Sequence, residues 1–254
     1  MNARRSSPKT LRIYGINPVL EALRADRVTA LRVSARADDR LTEIVRMAER
    51  SGIPVRRTNL HELDRFSQSG AHQGVVADVK DPAHLTVEEL IAGTSTPALI
   101  VVLDTVEDPQ NVGAILRTVD AAGGNGVVRQ SRHAARLEGA AAKASAGAVS
   151  HVRIAEVVNI ARALESLKAA GVWTVGFAAE ASKRYDEIDY TLPTAIVLGA
   201  EGAGLRRLVR ERCDWLVSIP MRGHVDSLNV SVTAGVALFE ALRQRGSAAH
   251  LSGV

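Results

Sequence analysis

The sequence predicts an α/β protein of two modules, a small N-terminal α/β domain followed by a larger domain built on a parallel sheet. The chain has 254 residues, which is enough for one large domain or two smaller ones. Hydrophobic residues make up 46% and charged residues 24%, as in globular proteins rather than disordered chains. From Ala98 onward, strongly apolar runs of strand length alternate with helical patterns, which is typical of a parallel sheet covered on both faces.

The N-terminal module, predicted over residues 11–80, mixes helices and strands. Asn17 followed by Pro18 predicts a helix start, with Asn17 as the N-cap and Pro18 at the first helical position. Asn59 with Glu62 resembles a capping box for a short helix. The other predicted elements are a strand over Leu31–Ala35, a helix with apolar positions Leu41, Ile44, Val45 and Ala48, a strand over Ile53–Arg57 and a strand over Gly74–Lys80.

Shifts in composition predict the remaining boundaries. We expect tails at residues 1–10 and 247–254, a linker with one short helix at 81–97, and the second domain at 98–246. Its predicted elements are strands over Ala98–Leu103, Gly126–Val128, Val172–Phe177, Ala195–Leu198 and Trp215–Ile219, a helix from near Pro109, and a final helix over Leu228–Arg245. The final helix is apolar on nearly all sides between Val230 and Leu242, which predicts burial in the core or against a partner subunit.

Charge is distributed unevenly along the chain. Residues 1–80 hold 15 basic and 9 acidic side chains, a net +6, whereas residues 81–254 hold 17 and 19, a net −2, which together give +4. Arginine supplies 27 of the 32 basic residues, and its planar guanidinium suits phosphate groups. The basic first segment therefore predicts a module that binds a polyanion, with an ordinary solvated face as the alternative.

Several function classes have no support in the sequence. There is no P-loop, no G-x-G-x-x-G after a strand and no G-x-S-x-G elbow, and no histidine lies at zinc spacing, so we expect no metal. No apolar run reaches the roughly 18 residues of a membrane span, and no apolar stretch follows the charged N-terminus as in a secretory signal. With Cys213 as the only cysteine, these features predict a cytoplasmic protein that contacts no membrane.

Three polar segments follow predicted strands, where the sites of parallel α/β sheets gather. They are Leu103–Thr118 with Asn111 and Arg117, Ile196–Arg207 with Glu201 among three glycines, and Ile219–Gly235 with Ser227 and Asn229. Taken singly, each has a plain structural explanation. Asn111 is most often a local cap, and Arg117 a solvated helix residue. Ser227 is placed to cap the final helix, which requires no catalytic role.

In this order and on these elements, the three segments together resemble the motifs of the SpoU-type (TrmH-like) RNA 2′-O-ribose methyltransferases of the SPOUT class. The resemblance covers residues 98–245, and Tyr14–Leu23 and Ala71–Ala77 resemble the ribosomal-protein-like, RNA-binding domain that precedes the catalytic domain in some members. It implies a C-terminal chain that threads a deep trefoil knot, S-adenosylmethionine as cofactor, and a homodimer formed through the final helix. Within the family, the layout is most similar to bacterial enzymes that methylate a guanosine of 23S rRNA.

The resemblance also implies the residues of the site. Asn111, Arg117, Glu201, Ser227 and Asn229 match the catalytic group, and Leu198, Gly199, Ile219, Met221 and Leu228 match the residues that hold the cofactor. Because arginine stays protonated in proteins, we expect Arg117 to bind a phosphate beside the target ribose rather than to act as the base.

Other functions remain open at this point. A tRNA ribose methyltransferase and a resistance-conferring rRNA methyltransferase share the same motifs. An RNA-binding assembly factor without catalysis is a further alternative, although retention of Asn111, Arg117, Glu201 and Asn229 argues against it. A nicotinamide oxidoreductase has less support, because the glycine fingerprint of that class is missing.

Overall fold

The computed structural model describes residues 10–35, 39–68, 70–80, 85–94, 97–132 and 136–251. In chain order its elements are β1 (Thr10–Tyr14), α1 (Ile16–Arg24), β2 (Val28–Ser34), α2 (Asp39–Arg50), β3 (Val55–Thr58), α3 (Leu60–Ser67), β4 (Val75–Lys80), α4 (Val87–Ala92), β5 (Leu99–Asp104), α5 (Pro109–Ala121), β6 (Gly126–Gln130), α6 (Ala140–Ala144), β7 (Ile154–Val157), α7 (Ile160–Ala169), β8 (Trp173–Phe177), β9 (Lys183–Arg184), β10 (Thr194–Gly199), α8 (Arg207–Arg212), β11 (Trp215–Ser218) and α9 (Val230–Leu251). The predicted α/β class is confirmed.

The chain divides into two compact units whose boundaries differ from the predicted domains. The first unit takes in Met1–Ala83 and Arg136–His151, and the second takes in His84–Ala135 and Val152–Val254. The segment with α6 therefore belongs to the first unit, although it lies within the predicted second domain. Conversely, α4 lies in the predicted linker but belongs to the second unit, because its apolar side chains are buried in the core of that unit.

The first unit is built on a four-stranded sheet in the order β1-β4-β2-β3. β4 pairs antiparallel with β1 and β2, whereas β2 and β3 are parallel. The four apolar positions predicted for α2 are all buried. At the start of α3, the Asn59 side chain accepts a hydrogen bond from the Glu62 main-chain N–H at 2.9 Å. The Glu62 carboxylate pairs with Thr58 and Arg56 instead of returning to Asn59, so only half of the predicted capping box forms.

The start of α1 differs from the sequence prediction. The helix begins at Ile16, and its N-cap is Gly15 with φ at 97°, rather than Asn17. Glycine adopts this positive φ without a steric penalty. The Ile16 N–H, which has no partner within the helix, donates to Oε1 of Gln73 at 3.0 Å. Pro18 still lies in the first turn, where its missing N–H costs no helical hydrogen bond.

The second unit is built on a seven-stranded sheet in the order β7-β6-β5-β10-β8-β11-β9. Every pairing in it is parallel, as the sequence predicts, and β7 and β9 are additional to the five predicted strands. α4, α7 and α8 pack on one face, and α5 and α9 pack on the other. Both faces are therefore covered, which explains why the central strands consist almost entirely of apolar residues.

α9 closes the second unit and extends beyond its predicted end. It begins at Val230 and continues through Leu251, so residues 247–251 of the predicted tail are helical. Its buried side packs through small and apolar residues, among them Ala234, Ala237, Leu238 and Ala241. Near its end, the Arg245 guanidinium donates to the main-chain carbonyls of Tyr190, Pro97, Ala98 and Leu192. None of the helices within the described residues is long and apolar enough to cross a membrane.

Candidate active site

A cavity of about 720 Å³ lies in the second unit, where β8, β10 and β11 end. The segments that follow these three strands line it, together with the first turn of α9. All five residues predicted to hold the cofactor line this cavity, and so do three predicted catalytic residues, Glu201, Ser227 and Asn229. The two polar segments that the sequence places after β10 and β11 therefore form one site at the carboxyl edge of the sheet, where parallel α/β proteins bind ligands.

The glycine-rich segment after β10 is a tight loop, defined here as the glycine loop, residues 200–205. It closes on itself, because the Gly204 N–H donates to the Ala200 carbonyl at 2.8 Å. A Cβ on Gly199 would lie 2.1 Å from the carbonyl carbon of Gly204. Gly202 and Gly204 have φ values of 75° and 66°, which favour glycine. The returning loop itself therefore requires a glycine at position 199.

Three predicted catalytic side chains meet beside the glycine loop and form what we term the polar cluster, Asn111, Glu201 and Asn229. The Asn111 amide donates to Oε1 of Glu201 at 3.1 Å, and the Asn229 amide donates to Oδ1 of Asn111 at 2.9 Å. Asn229 also donates to the same Glu201 oxygen. Asn111 is only 7% exposed, so its amide is fixed in place, whereas Glu201 is exposed. The cluster joins the start of α5, the glycine loop and the start of α9.

The N-cap of α9 is Asn229 and not Ser227, so the predicted capping role of Ser227 is wrong. Oδ1 of Asn229 accepts hydrogen bonds from the Ser231 main-chain N–H at 2.8 Å and from the Ser231 hydroxyl at 2.6 Å. Because its oxygen serves the helix, the amide nitrogen of Asn229 is left to face Glu201 and Asn111. Ser227 lies two residues before the cap, in the exposed loop that borders the cavity.

Arg117 lies apart from the polar cluster. It is exposed on α5, and within the part of the chain that the structure describes its side chain has no hydrogen bond or ion pair. Six residues separate it from Asn111, which places the two on different sides of the helix. The structure thus brings three of the five predicted catalytic residues into contact, places Ser227 at the cavity, and leaves the Arg117 guanidinium without a partner among the described residues.

The sequence analysis misses an ion pair beneath the glycine loop, between a buried carboxylate and a guanidinium that is 47% exposed. Asp104, the last residue of β5, is 0% exposed, and its carboxylate accepts hydrogen bonds from the Arg206 main-chain N–H at 2.8 Å and from Nε of Arg206 at 2.7 Å. A second guanidinium nitrogen lies 2.5 Å from the same carboxylate. The available signal was a carboxylate that ends an otherwise apolar strand, since a buried charge requires a partner.

A second cavity of about 350 Å³ adjoins the polar cluster. Asn111 and Glu201 line it, together with the segment between β5 and α5 from Thr105 to Asp108. Thr105 has φ at 59°, which is an outlier for a β-branched residue, and its hydroxyl donates to the Asp104 carbonyl at 2.7 Å. Such strain persists where the surrounding structure imposes it, commonly at functional sites. Glu201 borders both cavities, so the cluster lies where they adjoin.

The rim of the larger cavity carries a charged pair, Glu180 with Arg210. A main-chain hydrogen bond and the guanidinium of Arg210 hold the pKa of Glu180 below its usual range. Nearby, burial raises the pKa of the Cys213 thiol to about 12, which leaves it without nucleophilic character at neutral pH. Among the residues that the structure describes, no group of three or more His, Cys, Asp or Glu side chains is placed to hold a metal ion.

Comparison with known proteins places this site in a family. The model of the SpoU rRNA methylase family matches residues 98–239, and the model of the RNA 2′-O ribose methyltransferase substrate-binding domain matches residues 12–85. The chain belongs to the SpoU rRNA methylase family. The predicted resemblance and the predicted activity of an RNA 2′-O-methyltransferase are thereby confirmed, and the matched catalytic domain contains both cavities and the polar cluster.

Individual SpoU relatives match over nearly the whole chain. The 23S rRNA (guanosine-2′-O-)-methyltransferase RlmB of Pseudomonas putida is 44% identical over 240 residues, which cover 92% of this chain and 96% of the relative. An uncharacterized tRNA/rRNA methyltransferase of Mycolicibacterium gilvum is 45% identical over 239 residues, which cover 92% of this chain and 76% of that protein. The crystal structure of the SpoU methyltransferase AviRb from Streptomyces viridochromogenes, in complex with AdoMet, covers 94% of this chain and 91% of its own, with 27% identity and a TM-score of 0.80.

Proposed function

We propose that this protein transfers a methyl group from S-adenosylmethionine to the ribose 2′-hydroxyl of a guanosine in 23S rRNA. The observation that carries the proposal is the polar cluster, which joins the three motif segments at the boundary of two cavities. One cavity suits a small-molecule methyl donor, and the other lies where a nucleoside can approach. The guanosine and the 23S rRNA are taken from the P. putida relative, which matches over almost its full length.

The larger cavity fits the methyl donor in size and charge. Its volume of about 720 Å³ lies within the roughly 300–1,000 Å³ of small-molecule sites. Leu198, Ile219 and Met221 supply apolar walls, and Gly199 and Leu228 also line the cavity, where we assign them main-chain hydrogen bonds to the donor. The cofactor prediction is confirmed by the AviRb complex, which contains AdoMet. When bound, S-adenosylmethionine supplies a methyl group on a positively charged sulfonium.

Charges around the larger cavity suit a cation. Three carboxylates line it, those of Glu180, Glu201 and Asp226, against the single guanidinium of Arg210. Arg210 is paired with Glu180, so two carboxylates remain without a compensating charge among the lining residues. A site of net negative charge attracts a sulfonium and stabilises it in a partly enclosed space.

The smaller cavity holds the target nucleoside in this proposal. In a displacement reaction the nucleophile approaches opposite the leaving group, so the ribose hydroxyl and the donor must lie on opposite sides of the transferred methyl group. Glu201 borders both cavities, so in this proposal a hydroxyl held in the smaller cavity and a donor held in the larger one meet beside its carboxylate. Both cluster amides donate to Oε1 of Glu201, and among the described residues Oε2 has no hydrogen-bond partner. Oε2 therefore accepts the hydrogen bond of the 2′-hydroxyl and orients its oxygen.

The chain's residues act mainly by positioning. Asn111 and Asn229 fix the Glu201 carboxylate, and orientation of reacting groups supplies much of the barrier reduction in such reactions. Arg117 stays protonated and binds the phosphate next to the target ribose, where its planar fork contacts two oxygens. Ser227, exposed at the rim, contacts the ribose. The 2′-hydroxyl keeps its proton until the bond to the methyl carbon has begun to form, and then passes it to the Glu201 carboxylate, which already accepts its hydrogen bond.

The proposal includes a homodimer formed through α9. Val232, Phe239 and Leu242 are exposed on this helix, and Phe239 alone is 51% exposed. These positions recur at spacings of seven and three residues, which places them on one side of the helix. A continuous apolar stripe of this kind is typical of an interface. The deep trefoil knot that the family resemblance implies is part of the same proposal, in the segments that line the larger cavity.

A tRNA substrate is the second candidate, favoured by the M. gilvum relative, which is named for both RNA classes. Tritiated methyl transfer from S-adenosylmethionine to unmodified 23S rRNA and to total tRNA separates the two. We expect label in 23S rRNA, unchanged by EDTA, and none above background in tRNA. Tritium label confined to tRNA would show that tRNA, and not 23S rRNA, is the substrate. Loss of transfer in the presence of EDTA would contradict a reaction without metal.

A further inference from the structure

We propose that Asp104 and Arg206 form a positioning pair that holds Glu201 in place for methyl transfer. This rests on the proposed function, because it assigns the pair a role in the same reaction. Neither residue touches the larger cavity, so the pair acts through another group. Its members are 102 residues apart in the chain, and the carboxylate of Asp104 is 0% exposed.

The Asp104 carboxylate fixes the far end of the glycine loop. It accepts hydrogen bonds from both the main chain and the side chain of Arg206, so it determines the backbone position of the residue that follows the loop. Because both hydrogen bonds involve a carboxylate, and one a guanidinium, they are of the strong, charge-assisted kind. A carboxylate removed from water is held firmly by the one partner that neutralises it.

The near end of the loop is fixed by the same residue. Gly199, which precedes the loop, pairs with Asp104 in the parallel ladder between β10 and β5. Asp104 thus meets both ends of a six-residue loop that carries Glu201. Within the described residues, the loop itself is bonded to other segments by the Glu201 carboxylate alone. Without the pair, the position of Glu201 depends on the two cluster amides.

Asp104 also borders the segment that leads to Asn111. Its carbonyl accepts the Thr105 hydroxyl, and Thr105 begins the strained turn before α5. The pair therefore connects two of the three segments that form the polar cluster, from beneath the site. A displacement of about 1 Å in such a site costs roughly 100-fold in rate, so a small shift of the loop has a large effect.

A double-mutant cycle tests the pair. We measure single-turnover methyl transfer to 23S rRNA for wild type, Asp104→Asn, Glu201→Gln and the double variant, at saturating RNA and donor. Asn keeps the shape of Asp104 but presents an NH₂ to the donors of Arg206. We expect a loss of about 10- to 100-fold for Asp104→Asn, with RNA affinity unchanged. Since Asp104 acts through Glu201, the two substitutions should not be independent. The rate loss of the double variant should be smaller, by at least about tenfold, than the product of the losses of Asp104→Asn and Glu201→Gln.

Arg207→Gln is the matched control, because it removes the neighbouring guanidinium, whose partner is the exposed Glu211. Its rate should stay within about twofold of wild type, as is usual for an exposed pair. Arg206→Lys keeps the charge and the main-chain hydrogen bond, so its transfer rate should lie between those of wild type and Asp104→Asn. If Asp104→Asn does not fold, the same cycle is run with Arg206→Lys.

The outcomes distinguish the pair from the proposed function. If the rate loss of the double variant equals the product of the two single losses, or if Asp104→Asn transfers methyl at the wild-type rate, the positioning role of the pair is refuted. Neither result contradicts the proposed reaction. A wild-type rate in Glu201→Gln would instead remove Glu201 from the proposed reaction. A wild-type protein that transfers no methyl group to RNA would overturn the proposed function and the pair together.

Discussion

Replacing Asn229 with Asp isolates the polar cluster from the helix that it caps. The side chain of Asn229 has two separate tasks, since its oxygen accepts from Ser231 and its nitrogen donates to Glu201 and Asn111. Asp keeps the oxygen and is as good an N-cap as Asn. It replaces the nitrogen with a second carboxylate oxygen, which faces the carboxylate of Glu201 and the Asn111 amide oxygen. The cap is retained and the cluster is broken.

The magnitude follows from the contacts that change. A hydrogen bond to a charged group contributes about 1.5–3 kcal/mol, and Asn229→Asp loses one of these to Glu201. Two carboxylates at roughly 4 Å repel by about 1 kcal/mol in water, and the lower limit applies because Glu201 is exposed. The sum of about 2.5–4 kcal/mol corresponds to a loss of roughly 10²- to 10³-fold in the transfer rate.

Single-turnover methyl transfer and thermal unfolding measure the two tasks separately. For Asn229→Asp we expect the rate to fall as calculated, and the free energy of unfolding to fall by no more than about 2.5–4 kcal/mol, the amount lost in the cluster, because the cap is retained. Ser231→Ala is the control, because it removes the hydroxyl hydrogen bond to Oδ1 but leaves the nitrogen contacts. Its rate should stay within about threefold of wild type. An Asn229→Asp rate above about a tenth of wild type would refute the role of the cluster.

Three further predictions concern Arg117, the exposed apolar stripe of α9 and the basic N-terminal module. Arg117→Lys keeps the charge but loses the planar fork, so the rate of single-turnover transfer should fall at least about tenfold. Its affinity for the donor should stay unchanged, and its pH–rate profile should show no new limb near neutral pH. Phe239→Glu places a charge in the apolar stripe of α9, so light scattering at micromolar concentration should change from a dimer to a monomer. Replacing the exposed residues Arg56, Arg57 and Arg65 with Gln should reduce the slope of log affinity for RNA against log salt by about 2.

Each of these predictions has an outcome that contradicts it. Full activity of Arg117→Ala would remove that residue from the site, and recovery of Arg117→Lys at high pH would favour a base instead of a clamp. A wild-type monomer at micromolar concentration would contradict the interface on α9. An unchanged salt slope in the triple variant would show that these arginines do not contact RNA phosphates, and would direct attention to other surfaces.

Elements whose signal is local were predictable from sequence. The apolar runs of β5 and β10 and the helical stripe of α2 follow from burial periodicity, and all three lie close to their predicted positions. The two-residue strand β9 has no such signal, because a strand of that length shows no period. The return of Arg136–His151 to the first unit depends on tertiary contacts between distant segments, which no local pattern encodes.

The site was predictable in composition but not in its connections. The three motif segments indicate four residues that the structure brings to the site, Asn111, Glu201, Ser227 and Asn229, but they do not indicate that Arg117 lies apart, and the residues' roles come from the resemblance. The prediction of Ser227 as the N-cap of α9 is wrong because Ser227 and Asn229 are both favoured N-cap types, and the pattern does not show which of them the helix follows. The bond between Asp104 and Arg206 spans 102 residues and depends on how the strands are ordered in the sheet. Long-range pairing of this kind follows from topology rather than from sequence pattern.

The central claim is that the polar cluster carries methyl transfer to a guanosine ribose. The most direct measurement incubates unmodified 23S rRNA with S-adenosylmethionine and either wild type or Glu201→Gln, digests the RNA to nucleosides, and quantifies 2′-O-methylated species by mass spectrometry. We expect one 2′-O-methylguanosine per 23S rRNA with wild type, and a yield lower by at least about tenfold with Glu201→Gln over the same time. A base-methylated product, or equal yields from both proteins, would contradict the account.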